Sequence, residues 1–155
     1  MRTRCRRSRT ILRNRSISDA DVLLDTSALS ELVRRPNGSV AAAYRVKAKD
    51  PESILITSII VACEVRYGIA KNYSAWVEQR ANEVFARISV EALSIGADDA
   101  YASIRTDLER RGQVIGQNDM LIAAHALALG AVLVTDNVKE FKRVKGLKVE
   151  NWLRG

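Results

Sequence analysis

Short apolar runs alternate along this chain with longer segments in which apolar residues recur every three or four positions. The short runs predict buried strands over residues 22–25, 54–57, 89–93 and 131–135, with an edge strand at 147–149. The longer segments predict helices near residues 28–33, 40–47, 58–70, 76–88, 98–110 and 120–129. Because short strands alternate with helices, the pattern predicts one α/β domain, a three-layer α/β/α sandwich around a mostly parallel central sheet.

Length and composition agree with a single globular domain. The chain has 155 residues, 47% of them hydrophobic, which suffices for a core without disulfide or metal staples. Cys5 and Cys63 form neither a zinc-type pair nor a disulfide framework, as is typical of a reducing cytosol. The longest nearly apolar stretch, residues 120–134, is shorter than the roughly 20 residues of a membrane span. We therefore expect a soluble, cytoplasmic protein.

The basic character of the chain is concentrated in its first 20 residues. The formal net charge is +7, and residues 1–20 hold seven Arg and a single acid, Asp19. This Arg- and Ser-rich block predicts a disordered, dispensable leader, or codons upstream of the true translation start. A nucleic-acid-binding arm and an organelle transit peptide are the alternatives. The domain is predicted to be residues 21–155, which carry 18 basic and 17 acidic groups.

Four acidic residues occupy positions that a parallel sheet would bring to one edge. Asp25 and Asp136 are each the first acid after a buried strand, and sites in open α/β sheets lie outside the carboxyl ends of the strands. Asp119 lies in the first turn of the helix that leads to the fourth strand. Glu64 lies in a nearly apolar helix, so it is predicted to be buried and to need a partner or a cation. Taken singly, the three Asp residues could be ordinary cap or turn residues.

Taken together, the four carboxylates predict a metal site. Close like charges repel strongly unless some are protonated or a divalent cation neutralises them. Oxygen ligands without a Cys or His cluster favour Mg²⁺ or Mn²⁺. A cation held in this way can activate a water molecule that attacks a phosphodiester. Asp25, Glu64, Asp119 and Asp136 are therefore the predicted metal ligands and catalytic residues of a phosphodiester hydrolase.

A run of basic residues follows Asp136 in the chain. It comprises Lys139, Lys142, Arg143, Lys145 and Lys148. Beside an acidic pocket, these side chains are candidates for a rim that contacts phosphate groups. The alternative is a solvated surface loop.

Other reactive side chains have structural explanations. His125 lies six positions after Asp119. That spacing is about 240° around the helix, so the imidazole is predicted to face away from the acids and to pack in the interior. Ser27 and Ser58 are predicted helix caps rather than nucleophiles, because no histidine is positioned for either. Cys63 is expected in the core.

The four acids stand in four characteristic segments. These are Leu-Leu-Asp25-Thr-Ser-Ala-Leu-Ser-Glu-Leu, Thr-Ser-Ile…Glu64-Val-Arg-Tyr-Gly-Ile, Ile-Gly-Gln-Asn-Asp119-Met-Leu-Ile-Ala-Ala-His-Ala-Leu and Leu-Val-Thr-Asp136-Asn…Glu140-Phe. In this order, and over nearly all of the chain from Val22 to Trp152, the sequence resembles the PIN-domain family. More narrowly, it resembles the VapC-type toxins of that family, the ribonuclease halves of bacterial type II toxin–antitoxin pairs.

The resemblance implies a PIN-like fold, Mg²⁺- or Mn²⁺-dependent endoribonuclease activity, and neutralisation by a small cognate antitoxin whose tail fills the cleft. It also implies a homodimer. By position, the acidic quartet of the family corresponds to Asp25, Glu64, Asp119 and Asp136, and its supporting polar positions correspond to Thr135 and Asn137. Toxins of this kind usually begin just before the first strand, so the Arg-rich leader departs from the pattern.

Two other functions are compatible with such a domain. A phosphotransfer domain of the haloacid-dehalogenase type would need a second Asp where Ser27 stands, and a receiver domain would need an acidic pair before its phosphorylated Asp. A non-catalytic RNA-binding module would have no need for four mutually repelling charges. The sequence therefore favours a nuclease over both.

Overall fold

The computed structural model describes Ile17 and residues 20–154. Residues 1–16, 18 and 19, most of the predicted leader, lie outside the described residues, so the dispensability of the leader stays a prediction. Ile17 packs against the hydrophobic core, and the carbonyl of Ala20 accepts a hydrogen bond from the Ser53 hydroxyl at 2.7 Å. The packed part of the chain therefore includes residues ahead of residue 21.

Five strands form one parallel sheet within the described residues. They are β1 (Val22–Leu24), β2 (Leu55–Ser58), β3 (Ser89–Glu91), β4 (Val132–Val134) and β5 (Val149–Glu150). Their order across the sheet is β3-β2-β1-β4-β5, and every neighbouring pair is parallel. Leu23 in the central strand pairs with Ile56 on one side and Leu133 on the other, and all three are fully buried. A continuous apolar run is typical of a strand that is covered on both faces.

Seven helices connect these strands in the described part of the chain. They are α1 (Thr26–Arg34), α2 (Ser39–Lys47), α3 (Ile59–Lys71), α4 (Ala75–Phe85), α5 (Ala97–Arg110), α6 (Gln117–Leu129) and α7 (Val138–Phe141). None of these helices has the length and apolarity needed to cross a membrane.

The helices cover both faces of the sheet. From β1 the chain moves through β2 to β3, and it then returns past β1 to β4 and β5. Since parallel crossovers are right-handed, this reversal of direction puts the connecting helices on opposite faces. α1 packs against α2 and α4, α5 packs against α6, and α3 contacts both α1 and α6. The predicted α/β/α class is confirmed, and α3 joins the two helical layers.

Local signals fix where several helices begin and end. Ser58 caps α3 by accepting a hydrogen bond from the N–H of Ile60 at 3.1 Å, as the sequence predicts. Asp25 caps α1 in a similar way through the N–H of Ala28 at 2.8 Å. Gly130 ends α6 with a φ of 70°, a left-handed conformation that glycine adopts without a Cβ clash. Two of these junctions, at Asp25 and Ser58, lie at the carboxyl ends of strands.

The sequence prediction is wrong about one helix and misses another. α3 is not buried on all sides, because Ile59, Cys63 and Tyr67 are exposed at four-residue intervals and Glu64 is only half-buried. Its outward face is apolar, so composition alone does not distinguish that face from the buried one. The basic segment after Asn137 is not simply a loop, since α7 forms there. Four residues are too few to give a periodic signal.

Candidate active site

β1 and β4 lie side by side in the sheet, so the residues that follow them meet at one edge. Asp25 follows β1 directly, and Asp136 follows β4 after Thr135. Ser27 links the two acids. Its hydroxyl donates to Asp25 Oδ1 at 2.6 Å and accepts from the backbone N–H of Asp136 at 2.9 Å. The structure thus places both strand-end acids where the topology predicts.

Asp25 is almost completely buried, with 4% of its surface exposed. Burial raises the pKa of its carboxyl above the ordinary value, and hydrogen bonds from Ser27, Thr135 and the N–H of Ala28 partly offset that rise. These donors are neutral. They orient the negative charge without cancelling it.

Glu64 lies on α3 between the two helical layers. Thr26 Oγ1 of α1 donates a hydrogen bond to Glu64 Oε2, and Asn118 Nδ2 of α6 donates to Oε1 at 3.0 Å. Both donors are again neutral side chains. Since Thr26 follows Asp25 and Asn118 precedes Asp119, these contacts bring Glu64 to the neighbourhood of both acids.

Asp119, in the first turn of α6, has a pKa raised from 3.8 to about 6. Burial is the largest cause, and the negative charges of Glu64, Glu140 and Asp25 raise the pKa further. These charges come from the end of β1, from α3 and from α7, so the fold brings them toward Asp119. We refer to Asp25, Glu64, Asp119 and Glu140 as the acidic edge.

Glu140 is the member of the acidic edge that lies outside the four acids predicted from the sequence. It lies on α7 and accepts a hydrogen bond from Asn137 Nδ2 at 3.0 Å. A helix that begins after Asn137 brings residue 140 back near its own starting point within one turn. The spacing of Glu140 from Asp136 is therefore the signal in the sequence that could have identified Glu140. This spacing is informative only if a helix such as α7 is known to form there.

Asp136 differs from the acidic edge in its contacts. Arg154 Nε donates to Asp136 Oδ1 at 2.8 Å, and Asn151 Nδ2 donates to the same oxygen at 3.1 Å. The hydrogen bonds from Arg154 and Asn151 lower the pKa of Asp136, the opposite of the shift at Asp119. Of the other three predicted acids, Asp25 and Glu64 help to raise the pKa of Asp119, whereas Asp136 pairs with Arg154 of the chain itself.

Thr135 and Asn137, the predicted supporting residues, flank Asp136. Thr135 is fully buried, and its hydroxyl both hydrogen-bonds the Asp25 carboxylate and accepts from the N–H of Asn137 at 2.9 Å. The Asn137 side chain holds Glu140. The hydrogen bonds of both side chains thus orient members of the acidic edge.

Four of the basic residues after Asp136 divide into two groups. Lys139 and Lys142 are exposed on α7 and at its end. Arg143 and Lys145 approach α5 and the loop that follows it, where Lys145 Nζ pairs with Asp107 Oδ1 at 2.9 Å. Only Lys139 and Lys142 stay close in the chain to Glu140, on α7 and at its end.

His125 is fully buried on α6. Its Nδ1 lies 2.9 Å from Ser58 Oγ, and burial lowers its pKa below the ordinary value. A neutral histidine in this position links α6, which carries Asp119, to the capping residue of α3, which carries Glu64. It has no access to a substrate.

The ligand chemistry of the acidic edge fits a hard divalent cation. Its donors are carboxylate oxygens, which Mg²⁺ and Mn²⁺ prefer. Within residues 17 and 20–154, no three acidic, His or Cys side chains stand close enough together to hold a metal ion. A bound cation would offset the repulsion that helps to raise the pKa of Asp119.

Known proteins share both the sequence and the fold of this chain. The ribonuclease VapC2 of Rickettsia felis is 37% identical over 131 residues, which are 84% of this chain and 96% of that protein. The tRNA(fMet)-specific endonuclease VapC of Shigella flexneri is 30% identical over 131 residues, with the same two coverages. The crystal structure of VapBC2 from Rickettsia felis, bound to a DNA fragment from their promoter, matches with a TM-score of 0.79 at 32% identity. That match covers 85% of this chain and 98% of the other.

The family model of the PIN domain matches residues 22–147, from the first residue of β1 to the segment before β5. That range contains all four predicted acids and the whole acidic edge. The chain therefore belongs to the PIN-domain family, and its relatives there are VapC ribonucleases. The resemblance seen in the four sequence segments is confirmed.

Proposed function

We propose that this chain is a Mg²⁺- or Mn²⁺-dependent endoribonuclease that hydrolyses RNA phosphodiester bonds. The observation that carries the proposal is the acidic edge. Thr26 and Asn118, the chain neighbours of Asp25 and Asp119, both donate hydrogen bonds to Glu64, and the pKa of Asp119 is raised to about 6 by burial and the neighbouring carboxylates. A fold that holds carboxylates together against their repulsion does so at a cost to its own stability, which points to a functional site. The ribonuclease names of the relatives support RNA as the substrate.

Asp25, Glu64, Asp119 and Asp136 are the proposed catalytic residues and metal ligands, with Glu140 as a further contributor. When bound, the cation supplies Lewis acidity that stabilises the negative charge building up on the phosphate as the bond breaks. The residues of the chain contribute orientation. Neutral donors from both helical layers hold the carboxylates of Asp25 and Glu64, so these ligands are in place before RNA arrives.

Lys139 and Lys142 are the proposed contacts to RNA phosphates. Both are exposed beside the acidic edge, and exposed cations there would screen the repulsion between the acids and the RNA backbone. Arg143 and Lys145 are secondary candidates, because Lys145 already pairs with Asp107. The Shigella flexneri relative, which is named for tRNA(fMet), makes tRNA the first substrate to test.

We also propose that the nuclease is a toxin of the cytoplasm, inhibited by a small cognate antitoxin. The solved VapBC2 complex of Rickettsia felis supports such a partner. The test is expression in a bacterial host with and without the small open reading frame directly upstream. We expect growth arrest that the neighbour relieves; arrest that is the same with and without the neighbour would contradict the pairing.

The homodimer stays a prediction. Apolar side chains that are exposed on α3 and ahead of α5, including Tyr67, Leu93 and Ile95, provide surface for such a contact. Sedimentation equilibrium of the purified chain measures its mass directly. The mass of a single chain at micromolar concentration would contradict the dimer.

We propose that residues 1–15 of the predicted leader are needed neither for folding nor for cleavage. Because Ile17 packs against the core, a shortened variant should begin at Ser16 rather than at residue 21. We expect this variant to melt at the same temperature and to cleave RNA at the same rate as the full chain. Weaker RNA binding by the variant would favour the nucleic-acid-binding arm.

The main test of the proposal is cleavage of tRNA by the purified chain with and without EDTA. We expect cleavage that stops with EDTA, returns with excess Mg²⁺ or Mn²⁺, and is lost in Asp25→Asn. Cleavage that ignores chelation would exclude the metal. Binding of RNA without cleavage would favour a non-catalytic RNA-binding module, and phosphorylation of the chain without cleavage would favour a phosphotransfer domain.

A further inference from the structure

The segment that follows β5 reaches the same edge of the sheet as Asp136. β5 pairs with β4 in parallel, with Val134 opposite Glu150, so the residues after both strands leave the sheet on the same side. Asp136 and Arg154 are 18 positions apart in the chain, yet Arg154 Nε lies 2.8 Å from Asp136 Oδ1. The topology of the sheet therefore accounts for their meeting.

This segment is held in place by its own contacts. Asn151 Oδ1 accepts hydrogen bonds from the N–H groups of Leu153 at 2.8 Å and Arg154 at 3.2 Å. The carbonyl of Leu153 accepts from Ser39 Oγ at 3.2 Å, and Trp152 and Leu153 pack against the core. These contacts hold the backbone of Arg154 in position next to Asp136.

Arg154 engages both oxygens of the Asp136 carboxylate. Nε donates to Oδ1 at 2.8 Å and Nη2 lies 3.4 Å from Oδ2, while Asn151 Nδ2 adds a third contact at 3.1 Å. A guanidinium presents its donors in a planar fork that matches a carboxylate in this way. The Arg154 side chain is 75% exposed, so it can exchange the carboxylate for water at small cost.

We propose that Arg154 is a built-in competitor for the cation at Asp136, so that binding of a divalent cation displaces the guanidinium from the carboxylate. The inference rests on the proposed function, in which Asp136 is a metal ligand. A carboxylate whose two oxygens face one guanidinium presents a positive charge where a second cation would have to bind, and the two cations repel each other. Arg154 then lowers the affinity of the site for metal and leaves Asp136 when metal binds.

A different role for Arg154 would have the opposite effect on affinity. If the guanidinium instead oriented Asp136 for the cation, removing it would weaken metal binding. The sign of the change in affinity therefore separates competition from orientation.

The test is titration calorimetry of the full-length chain with Mn²⁺ alone, without RNA. Because an exposed ion pair is weak, we expect Arg154→Gln to bind Mn²⁺ about 2- to 5-fold more tightly than the unmodified chain. Arg105→Gln is the matched control, since it removes the same charge from an exposed side chain on α5 that pairs with Glu109. In an Asp136→Asn background, Arg154→Gln should have no effect.

Three results would overturn the competition: affinity unchanged by Arg154→Gln, affinity weakened by it, or an equal gain in Arg105→Gln, which would reflect net charge alone. A wild-type chain that binds no Mn²⁺ would count against the proposed function instead. Failure of the inference and failure of the proposed function are therefore distinguishable.

Discussion

Asp119 and Asp107 lie on consecutive helices, α6 and α5, in opposite electrostatic surroundings. At Asp107, Lys145 Nζ is 2.9 Å from Oδ1 and Arg111 Nη2 is 2.5 Å from Oδ2. Hydrogen bonds from these two cations lower the pKa of Asp107. At Asp119, burial and the neighbouring carboxylates raise the pKa to about 6. Asp107 is neutralised by cations of the chain, whereas Asp119 faces further negative charge.

The contrast distinguishes a structural acid from a functional one. Two cations of the chain, Arg111 and Lys145, balance the charge of Asp107, so this acid needs no further partner. Among the described residues, the acidic edge has neutral donors and like charges, so the partner that would balance it is a cation. Each of the following predictions changes one side of this comparison.

The largest effect is expected for Asp119→Asn compared with Asp107→Asn. Loss of a metal ligand should reduce RNA cleavage by at least about 100-fold. Even the loss of a residue that only hydrogen-bonds a metal ligand reduces activity or metal affinity by about 10- to 100-fold. Asp107→Asn should leave the cleavage rate unchanged. Initial rates on the same tRNA measure both variants. Comparable losses in the two would show that the acidic edge has no special role.

Glu140→Gln should have the next largest effect, a loss of about 10-fold in cleavage. The variant removes one of the charges that act on Asp119, so the pKa of Asp119 should also fall. Cleavage rates and NMR titration of the Asp119 carboxyl measure the two effects. Glu109→Gln on α5 is the control, since Glu109 pairs with Arg105. Full activity in Glu140→Gln would remove this residue from the site.

The pH dependence of stability should also differ between the two acids. The pKa of Asp119 is about 6 in the folded chain against an ordinary value of 3.8, so between these values the folded chain binds more protons than the unfolded chain. The contribution of Asp119 to the free energy of unfolding therefore falls as the pH rises from about 4 to about 6. We expect Asp119→Asn to remove about 1 kcal/mol of that fall, since water still screens a half-buried carboxyl.

Urea unfolding in the absence of divalent cations measures this effect at both ends of the pH range. The pKa of Asp107 is lowered, so the stability that its ionised form contributes is lost only as the pH falls below 3.8. Asp107→Asn should thus shift the curve without changing its slope between pH 4 and 6. The account would be wrong about Asp119 if its variant kept the wild-type slope.

The smallest effect concerns the salt dependence of RNA binding. Lys139→Ala should reduce the slope of log affinity against log salt by about one, the value for one lost phosphate contact. Lys145→Ala should change the slope less, because Lys145 pairs with Asp107. Filter binding in EDTA at several salt concentrations measures both. A larger change for Lys145→Ala would shift the RNA path toward α5.

The features that could be predicted from the sequence are those that depend on neighbouring residues. The apolar run before Asp25, the cap at Ser58 and the left-handed end of α6 at Gly130 are local patterns. The shared edge of Asp25 and Asp136 also follows, because strands that alternate with helices form a parallel sheet.

The features that could not be predicted depend on distant parts of the chain. The pairing of Asp136 with Arg154 requires β5 to lie next to β4. Glu140 joins the acidic edge only through α7, which is too short to give a period. Cys63 is exposed because α3 has an apolar outer face, and hydrophobicity alone does not reveal which apolar face is covered.

Thermal unfolding of the wild-type chain and of Asp119→Asn, each with and without Mn²⁺, tests most directly whether the acidic edge binds a cation. A ligand that binds only the folded chain stabilises it by about 2.7 kcal/mol at 100 times its dissociation constant. We expect Mn²⁺ to raise the melting temperature of the wild type, and to have little effect on Asp119→Asn, which without Mn²⁺ should be at least as stable as the wild type. An unchanged wild-type melting temperature, or an equal rise in both proteins, would contradict the account.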